Sequence, residues 1–203
     1  SAPTDAHLEY KDGKFQIAEE QLGNQLDIQK ADRAIDTAIK EGLEQVSLEE
    51  QDCYIAPKVY KEDEKLKKEC EDANKMLVAK ITYDFGDRKE VVDSDEIADW
   101  ITFGDDYTFD LDEEKITEYV HQLGLKYDTF GLTHEFTTHA GKKITLKGGD
   151  YGWVIKKKET TAALVEYIKE GKTGTVEPVY LYEGKSRDTN DIGGTYVEIS
   201  IQD

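Results

Sequence analysis

The sequence is poor in proline and in basic residues. Its 203 residues include three prolines, which argues against a rigid Pro-rich stalk. Lysine and arginine total 26 against 45 acidic residues, giving a formal net charge of −19. Nucleic acids and anionic membranes bind proteins through basic surfaces, so we expect neither as a partner.

Long hydrophobic runs are also missing. No stretch approaches the roughly 20 apolar residues that span a bilayer, and no secretory signal peptide is present. We therefore expect no direct membrane insertion, with any export signal or anchor lying upstream. The chain does have 12 tyrosines, 6 phenylalanines and 37% hydrophobic residues. That content argues against disorder and for a folded protein.

An internal repeat is the most informative pattern. Residues 12–42 and 140–171 each begin near a Gly-Lys turn, continue through a glycine and end in an Ile-Lys-Glu-Gly sequence. The offset is 128 residues before the central glycine, Gly23 or Gly152, and 129 after it. A hairpin, a glycine, a helix and a terminating glycine in the same order predict a duplicated unit.

Local signals predict an α+β fold. Asp12-Gly13 favours a hairpin turn, and Asp27 favours the start of a helix whose apolar residues form one stripe. That stripe consists of Ile28, Ala31, Ile35, Ala38 and Ile39. Between the two copies the pattern predicts helices over 61–78 and 94–101, a strand over 79–85 and a helix capped by Asp112. We expect short antiparallel hairpins with helices packed on one face.

Several motifs resemble the peptidoglycan-binding domain that precedes the catalytic domain of Gram-positive L,D-transpeptidases. These are Gly148-Gly149-Asp150-Tyr151-Gly152-Trp153, Ile97-Ala98-Asp99-Trp100, Tyr127-Asp128-Thr129-Phe130-Gly131 and Glu177-Pro178-Val179-Tyr180. The resemblance implies that 57–184 form one complete domain and that 1–56 end a preceding copy. It also implies that 185–203 contain the linker and first strand of the catalytic domain.

The resemblance sets expectations about function. It implies a non-catalytic region that binds peptidoglycan, or positions on it a transpeptidase forming 3→3 cross-links. The partners would be peptidoglycan and a C-terminal catalytic domain of the same chain, at the cell wall or cell surface, with anchoring upstream of this sequence. An alternative is a structural spacer or lid that controls the reach and access of the catalytic domain without binding glycan.

The two cysteines do not have catalytic surroundings. The family's catalytic domain uses a Cys nucleophile in a Ser-His-Gly-Cys-type motif, whereas no histidine adjoins Cys53 or Cys70. We therefore expect no enzyme activity from this sequence, with the nucleophile outside it, and no cofactor or metal. In an exported protein, a Cys53–Cys70 disulfide is favoured over free thiols.

Candidate ligand-binding residues are Trp100, Asp150, Tyr151 and Trp153. Aromatic faces suit the C–H faces of sugars, so these residues could form a glycan platform. The other interpretation is a tight glycine turn with Trp153 in the core, since residues 22 and 26 of the first copy are leucines. An acidic cluster suggests either calcium binding or a solvated helix start; it comprises Asp105, Asp106, Asp110, Asp112 and Glu113.

Overall fold

The computed structural model describes residues 1–104, 106–138, 141–147 and 149–187. Five helices occur in this part of the chain: α1 (Ile28–Glu41), α2 (Glu64–Met76), α3 (Ser94–Trp100), α4 (Glu113–Tyr127) and α5 (Lys157–Lys169). The first six strands are β1 (His7–Lys11), β2 (Lys14–Ala18), β3 (Lys80–Asp84), β4 (Lys89–Val92), β5 (Ile101–Phe103) and β6 (Phe109–Leu111). The last five are β7 (His134–Thr137), β8 (Lys143–Leu146), β9 (Val154–Ile155), β10 (Thr173–Val176) and β11 (Tyr180–Tyr182).

The predicted α+β class is confirmed, with one correction to the sheets. Four two-stranded antiparallel pairs occur among the described residues, namely β1–β2, β5–β6, β7–β8 and β9–β11. The remaining sheet has the order β10-β3-β4, and β10 runs parallel to β3. A parallel pair needs a long connection between its strands, and here the chain from β4 to α5 lies between β3 and β10.

Helices α1, α3 and α4 begin where the sequence predicts them, whereas α2 is shorter than the predicted 61–78. Asp27 caps α1 by accepting a hydrogen bond from the Lys30 amide at 3.1 Å. Asp93 forms a reciprocal capping box with Glu96 at the start of α3. The Asp112 carboxylate accepts two amides at the start of α4. These carboxylates satisfy amides that have no partner inside their own helix.

Two compact units divide the chain. Unit 1 consists of Ser1–Asn74 with Phe103–Phe109, and unit 2 consists of Lys75–Thr102 with the residues from Asp110 onward. This boundary differs from the 56/57 boundary of the repeat because most of α2 belongs to unit 1. There the side-chain amide of Asn74 pairs with both backbone groups of Phe15, at 2.8 and 2.9 Å.

Each unit has its own core. In unit 1, Leu66, Ala73 and Ala6 are fully buried, and Phe15 packs edge-on against Tyr10 and Phe103. In unit 2, α4 and α5 pack together above the β10-β3-β4 sheet. Its buried side chains come mainly from β3, the residue after it, α4 and α5; they include Ile81, Tyr83, Phe85, Ile116, Val120, Leu164 and Ile168. No helix in the described ranges is long and apolar enough to cross a membrane.

The predicted inward stripe of α1 is only partly buried. Ala31 and Ala38 are buried, but Ile28, Ile35 and Ile39 are 65%, 42% and 71% exposed. At the 129-residue offset, Leu164 and Ile168 of α5 correspond to Ile35 and Ile39, and both are fully buried. The difference arises because α5 packs on α4, and residues 1–56 contain no counterpart of α4.

The predicted Cys53–Cys70 disulfide is wrong in this structure, where both residues are free thiols. Cys53 is fully buried in the loop before Tyr54, and its thiol contacts the Gln51 carbonyl. The Cys70 thiol lies on α2 and donates to the Phe15 carbonyl at 3.4 Å. Each thiol therefore has its own local backbone partner. Of the predicted linker and catalytic strand at 185–203, residues 188–203 lie outside the described residues.

Candidate functional site

Strands β9 and β11 bring together the aromatic residues of the candidate site. The two strands are antiparallel, with Tyr180 opposite Ile155 and a register shift before Tyr182. Trp153 directly precedes β9, so its indole lies beside Tyr180, with ring centroids 4.9 Å apart at an angle of 68°. This edge-to-face geometry is a favourable arrangement of two aromatic quadrupoles.

The backbone of Trp153 is held by the chain after α4. Its amide donates to Thr129 Oγ1 at 3.0 Å, and its carbonyl accepts from the Thr129 amide at 2.9 Å. Gly152 permits this approach, because a Cβ there would lie 2.7 Å from backbone atoms of Thr129 and Phe130. Next to it, the Ile155 amide donates to Asp128 at 2.8 Å. Burial raises the pKa of Asp128, and that amide opposes the shift.

Arg187 lies against both rings. Its guanidinium lies 3.5 Å from the Trp153 ring and 4.6 Å from the Tyr180 ring. It donates to Tyr180 Oη at 2.7 Å and to Glu177 Oε2 at 2.9 Å. Burial raises the pKa of Tyr180, and the guanidinium opposes that shift. Planar stacking combined with two directed hydrogen bonds is a geometry that suits arginine and not lysine.

The segment 184–187, which we call the exit segment, runs across this site. The Trp153 indole donates to the Ser186 carbonyl at 2.6 Å, and the Lys185 amide donates to Tyr151 Oη at 2.6 Å. Two glycines make room for it. A Cβ on Gly184 would lie 2.7 Å from Trp153 Nε1, and one on Gly86 would lie 2.7 Å from Arg187 Cβ. The exit segment is therefore fixed at several points on unit 2.

The four predicted ligand-binding residues do not form one open surface. Tyr151 and Trp153 both contact the exit segment, and Asp150 is exposed beside them. Trp100 is 5% exposed and packs against Tyr119 instead, at 5.2 Å between ring centroids. Trp100 thus serves the core of unit 2. The sequence motifs did not indicate Arg187 as a site residue or assign a role to Glu177. The contact between these two residues depends on the path of the exit segment, which the motifs do not reveal.

A different pair of aromatic residues exposes its rings to solvent. Phe130 and Tyr182 stack with centroids 5.0 Å apart and planes 19° apart, and they are 36% and 51% exposed. Phe130 immediately follows Thr129, and its amide contacts the Trp153 carbonyl at 3.3 Å. The pair is therefore continuous with the scaffold that holds Trp153. Its only sequence signal is the pair of tyrosines two residues apart in Tyr180-Leu181-Tyr182.

The acidic residues of the predicted cluster act mainly in local hydrogen bonds. Hydrogen bonds from Thr108 and Lys65 lower the pKa of Asp106 to about 2. The Asp110 carboxylate accepts the Leu111 amide at 2.8 Å, and Asp112 caps α4. Asp105 lies outside the described residues. The part of the chain that the structure describes contains no group of three or more His, Cys, Asp or Glu side chains that could hold a metal ion.

The first segment, residues 1–56, repeats the backbone pattern of this site. The Asp27 amide donates to the Cys53 carbonyl at 2.8 Å, as the Lys156 amide donates to the Val179 carbonyl at 2.8 Å. Leu26 bridges Tyr54 in the antiparallel sense, as Ile155 pairs with Tyr180. The correspondence therefore continues beyond the helix, at an offset of 126.

The central glycines of the two segments share a packing role. A Cβ on Gly23 would lie 2.5 Å from Ser1 O and Pro3 N, as one on Gly152 would collide with Thr129 and Phe130. The glycines that end the helices, Gly42 and Gly171, have φ of +71° and +63°. Both pairs are consistent with the predicted duplication.

A cleft of about 360 Å³ in the first segment is lined in part by the counterparts of residues that contact the exit segment. Its walls include Leu22, Gly23 and Asn24, which correspond to 151–153, and Tyr54, which corresponds to Tyr180. Glu49, Asp52, Ile55 and Ala56 complete the lining. Asp52 has a φ of +49°, which orients this loop.

The described cysteines are poorly suited to nucleophilic catalysis. Burial raises the pKa of Cys70, the Glu71 carboxylate raises it further, and the Asn74 amide opposes both effects. A nucleophilic cysteine needs a lowered pKa, because the thiolate is the reactive form. Cys53 is fully buried. Neither residue is arranged as a catalytic thiolate.

Comparison with known proteins gives one family and two similar structures. The family described as "Putative peptidoglycan binding domain" matches residues 1–47 and 62–177. An avibactam carbamoyl enzyme of Ldtfm is 30% identical over 58% of this chain and 46% of its own, with a TM-score of 0.47. A cysteine-to-serine mutant of an Enterococcus faecium L,D-transpeptidase is 28% identical over 58% and 48%, with a TM-score of 0.47. The chain thus spans about half of each, and no curated protein matches it.

Proposed function

Because this chain belongs to the peptidoglycan-binding domain family, we propose that it is a non-catalytic region that binds peptidoglycan and positions an L,D-transpeptidase on it. The family match over two separate segments is the observation that carries the proposal. A match in two segments is what we expect from a partial copy of the domain at 1–56 followed by a complete copy at 57–184. The site of action is accordingly the cell wall, and the reaction served is 3→3 cross-linking by a catalytic domain of the same protein.

The stacked pair of Phe130 and Tyr182 supports direct glycan binding. Aromatic rings that are partly open to solvent offer an apolar face to the C–H groups of a sugar, while the Tyr182 hydroxyl offers a polar contact. The two rings are preordered by their own stacking, so a ligand need not order them. We assign the glycan contact to this pair. Trp100 has its ring in the core, and Trp153 has its ring against Arg187.

Arg187 supports the positioning part of the proposal. Residues 186 and 187 are fixed on unit 2 by the Trp153 indole, the Tyr180 hydroxyl and Glu177. A fixed point at the end of the described chain would give a following domain a defined place of attachment. The same observation favours the alternative function, a spacer that sets the reach of the catalytic domain without touching glycan.

Co-sedimentation with purified sacculi separates the two functions. The proposal predicts that the chain pellets with sacculi and that Tyr182→Ser reduces the pelleted fraction. Tyr60→Ser is the matched control, since Tyr60 is a comparably exposed tyrosine (41%) in unit 1. A wild-type chain that remains in the supernatant would support the spacer. The muropeptide composition of the pelleted sacculi should be unchanged, and any new cross-link or cleavage would contradict the non-catalytic assignment.

A further inference from the structure

Helix α1 carries an apolar surface that no element of the described first segment covers. This surface, which we call the α1 stripe, consists of Ile28, Ile35 and Ile39, spaced seven and four residues apart on one side of the helix. All three side chains are exposed. An amphipathic helix in a folded domain ordinarily turns such a side toward a neighbouring element. The α1 stripe is therefore a surface for which the described first segment supplies no neighbour.

Helix α5 of the second copy shows where the same surface is covered. The two helices correspond from end to end at the 129-residue offset, since their N-caps lie at 27 and 156 and the glycines that end them at 42 and 171. Ile35 and Ile39 then correspond to Leu164 and Ile168, which are fully buried. The stripe is thus an interior surface in the second copy and an exposed one in the first.

The element that covers this side of α5 is α4. Ile28 corresponds to Lys157, whose Cε lies 2.7 Å from the position of a Cβ added to Gly124 of α4. Lys157, Leu164 and Ile168 have the spacing of the α1 stripe, so they share one side of α5. That side therefore faces α4, in agreement with the close packing of the two helices.

One polar residue distinguishes the α1 stripe from its counterpart. Asp32 follows Ile28 by one helical turn, and it corresponds to Thr161, which is buried and lines a cleft together with Thr117 of α4. Asp32 is exposed, and it has no hydrogen bond or ion pair among the described residues. A helix that covered the α1 stripe would remove this carboxylate from water, which is costly unless a cation pairs with it. The covering helix therefore needs a lysine or arginine opposite Asp32.

We infer that the α1 stripe binds an amphipathic helix of the same polypeptide, namely the first copy's counterpart of α4. Because α4 precedes α5 in the second copy, this helix lies upstream of Ser1. Its chemistry is an apolar stripe like that of α4, with a cation opposite Asp32. The family match is consistent with this, since the match over 62–177 includes both α4 and α5, whereas the match over 1–47 includes α1 without a counterpart of α4. The inference rests on the duplication and not on glycan binding.

The test uses a synthetic peptide with the α4 sequence, residues 112–128, in which Thr117→Lys supplies the cation. The peptide is titrated into the ¹⁵N-labelled chain, and we expect saturable shifts of the α1 amides over residues 28–41. The peptide with threonine at 117 should bind about tenfold more weakly, because it lacks a partner for Asp32. Asp32→Asn in the chain should remove that difference between the two peptides. A peptide that also carries Ile116→Ser and Val120→Ser should not bind, because it has lost its apolar stripe.

Two variants of the chain test the stripe itself. Ile35→Ser with Ile39→Ser should abolish binding of the lysine peptide, and because both side chains are exposed this change leaves the core of unit 1 intact. The matched control is Leu125→Ser with Leu181→Ser, which removes two exposed leucines from unit 2 and should bind as the wild type does.

Three results would overturn the inference. The first is that neither peptide shifts the α1 amides, and the second is that binding survives Ile35→Ser with Ile39→Ser. The third is a dimer of the chain alone in sedimentation velocity that the same double variant dissociates, because the α1 stripe would then bind a second copy of this chain. Retention on sacculi enters none of these outcomes, so failure of the inference and failure of the proposed function are distinguishable.

Discussion

The candidate site depends strongly on the absence of a side chain at Gly152. Alanine there would place a Cβ 2.7 Å from the backbone of Thr129 and Phe130, at a φ of +129°. The backbone strain costs about 1–3 kcal/mol, and the forced separation of two backbone segments costs about 1–3 kcal/mol more. We therefore expect Gly152→Ala to destabilise unit 2 by about 4 kcal/mol in all.

Gly141→Ala is the matched control for the backbone strain that a positive φ imposes on alanine. Gly141 has a φ of +79°, but a Cβ there would meet nothing within 4 Å, so we expect a loss of about 1–2 kcal/mol. The only two tryptophans, Trp100 and Trp153, both lie in unit 2. Urea unfolding followed by tryptophan fluorescence therefore reports on that unit. If Gly152→Ala costs no more than Gly141→Ala, the close approach does not hold the site together.

Three further predictions concern separate contacts. Arg187→Ala should lower the stability of unit 2 by about 1–2 kcal/mol. It should also increase acrylamide quenching of tryptophan fluorescence, since the Arg187 guanidinium covers the Trp153 ring. The control Lys185→Ala, in the same segment, should change neither the stability nor the quenching. Hydrogen bonds from Lys126 and Tyr127 lower the pKa of Glu90 in the folded chain. The stability that ionised Glu90 contributes is therefore fully present above the pKa that Glu90 has in the unfolded chain. It is lost as the pH falls through the pKa that Glu90 has in the folded chain. Glu90→Gln should therefore flatten the loss of stability below about pH 4.5, and an unchanged acid slope would refute this pairing. Unreduced protein should yield two alkylated cysteines when unfolded and slow, partial labelling at Cys70 when native, as its half-buried thiol predicts; an intact mass two hydrogens lower would contradict the free thiols.

Local chemistry made the elements predictable. Asp27, Asp93 and Asp112 cap helices through hydrogen bonds to amides two or three residues away, which the sequence spacing alone implies. The glycines that end α1 and α5 take positive φ, as helix-terminating glycines do. These signals act over a few residues, so no tertiary information was needed to read them.

Long-range packing was not predictable in the same way. The apolar stripe of α1 indicates burial, yet Ile35 and Ile39 remain exposed because no element packs on them within the described first segment. Two cysteines 17 residues apart suggest a bridge, yet each thiol is drawn to a different carbonyl. The docking of Arg187 on Trp153 joins residues 34 positions apart through a cation and a ring, which no periodicity encodes.

The binding isotherm of the folded chain on purified sacculi tests the central claim most directly. The account predicts that the pelleted fraction rises and saturates with increasing sacculus concentration at physiological ionic strength. It also predicts that chain unfolded before mixing is not retained, since binding depends on residues 130 and 182 being held together by the fold. A chain that stays in the supernatant at every sacculus concentration, or equal retention of folded and unfolded chain, would contradict peptidoglycan binding by this domain.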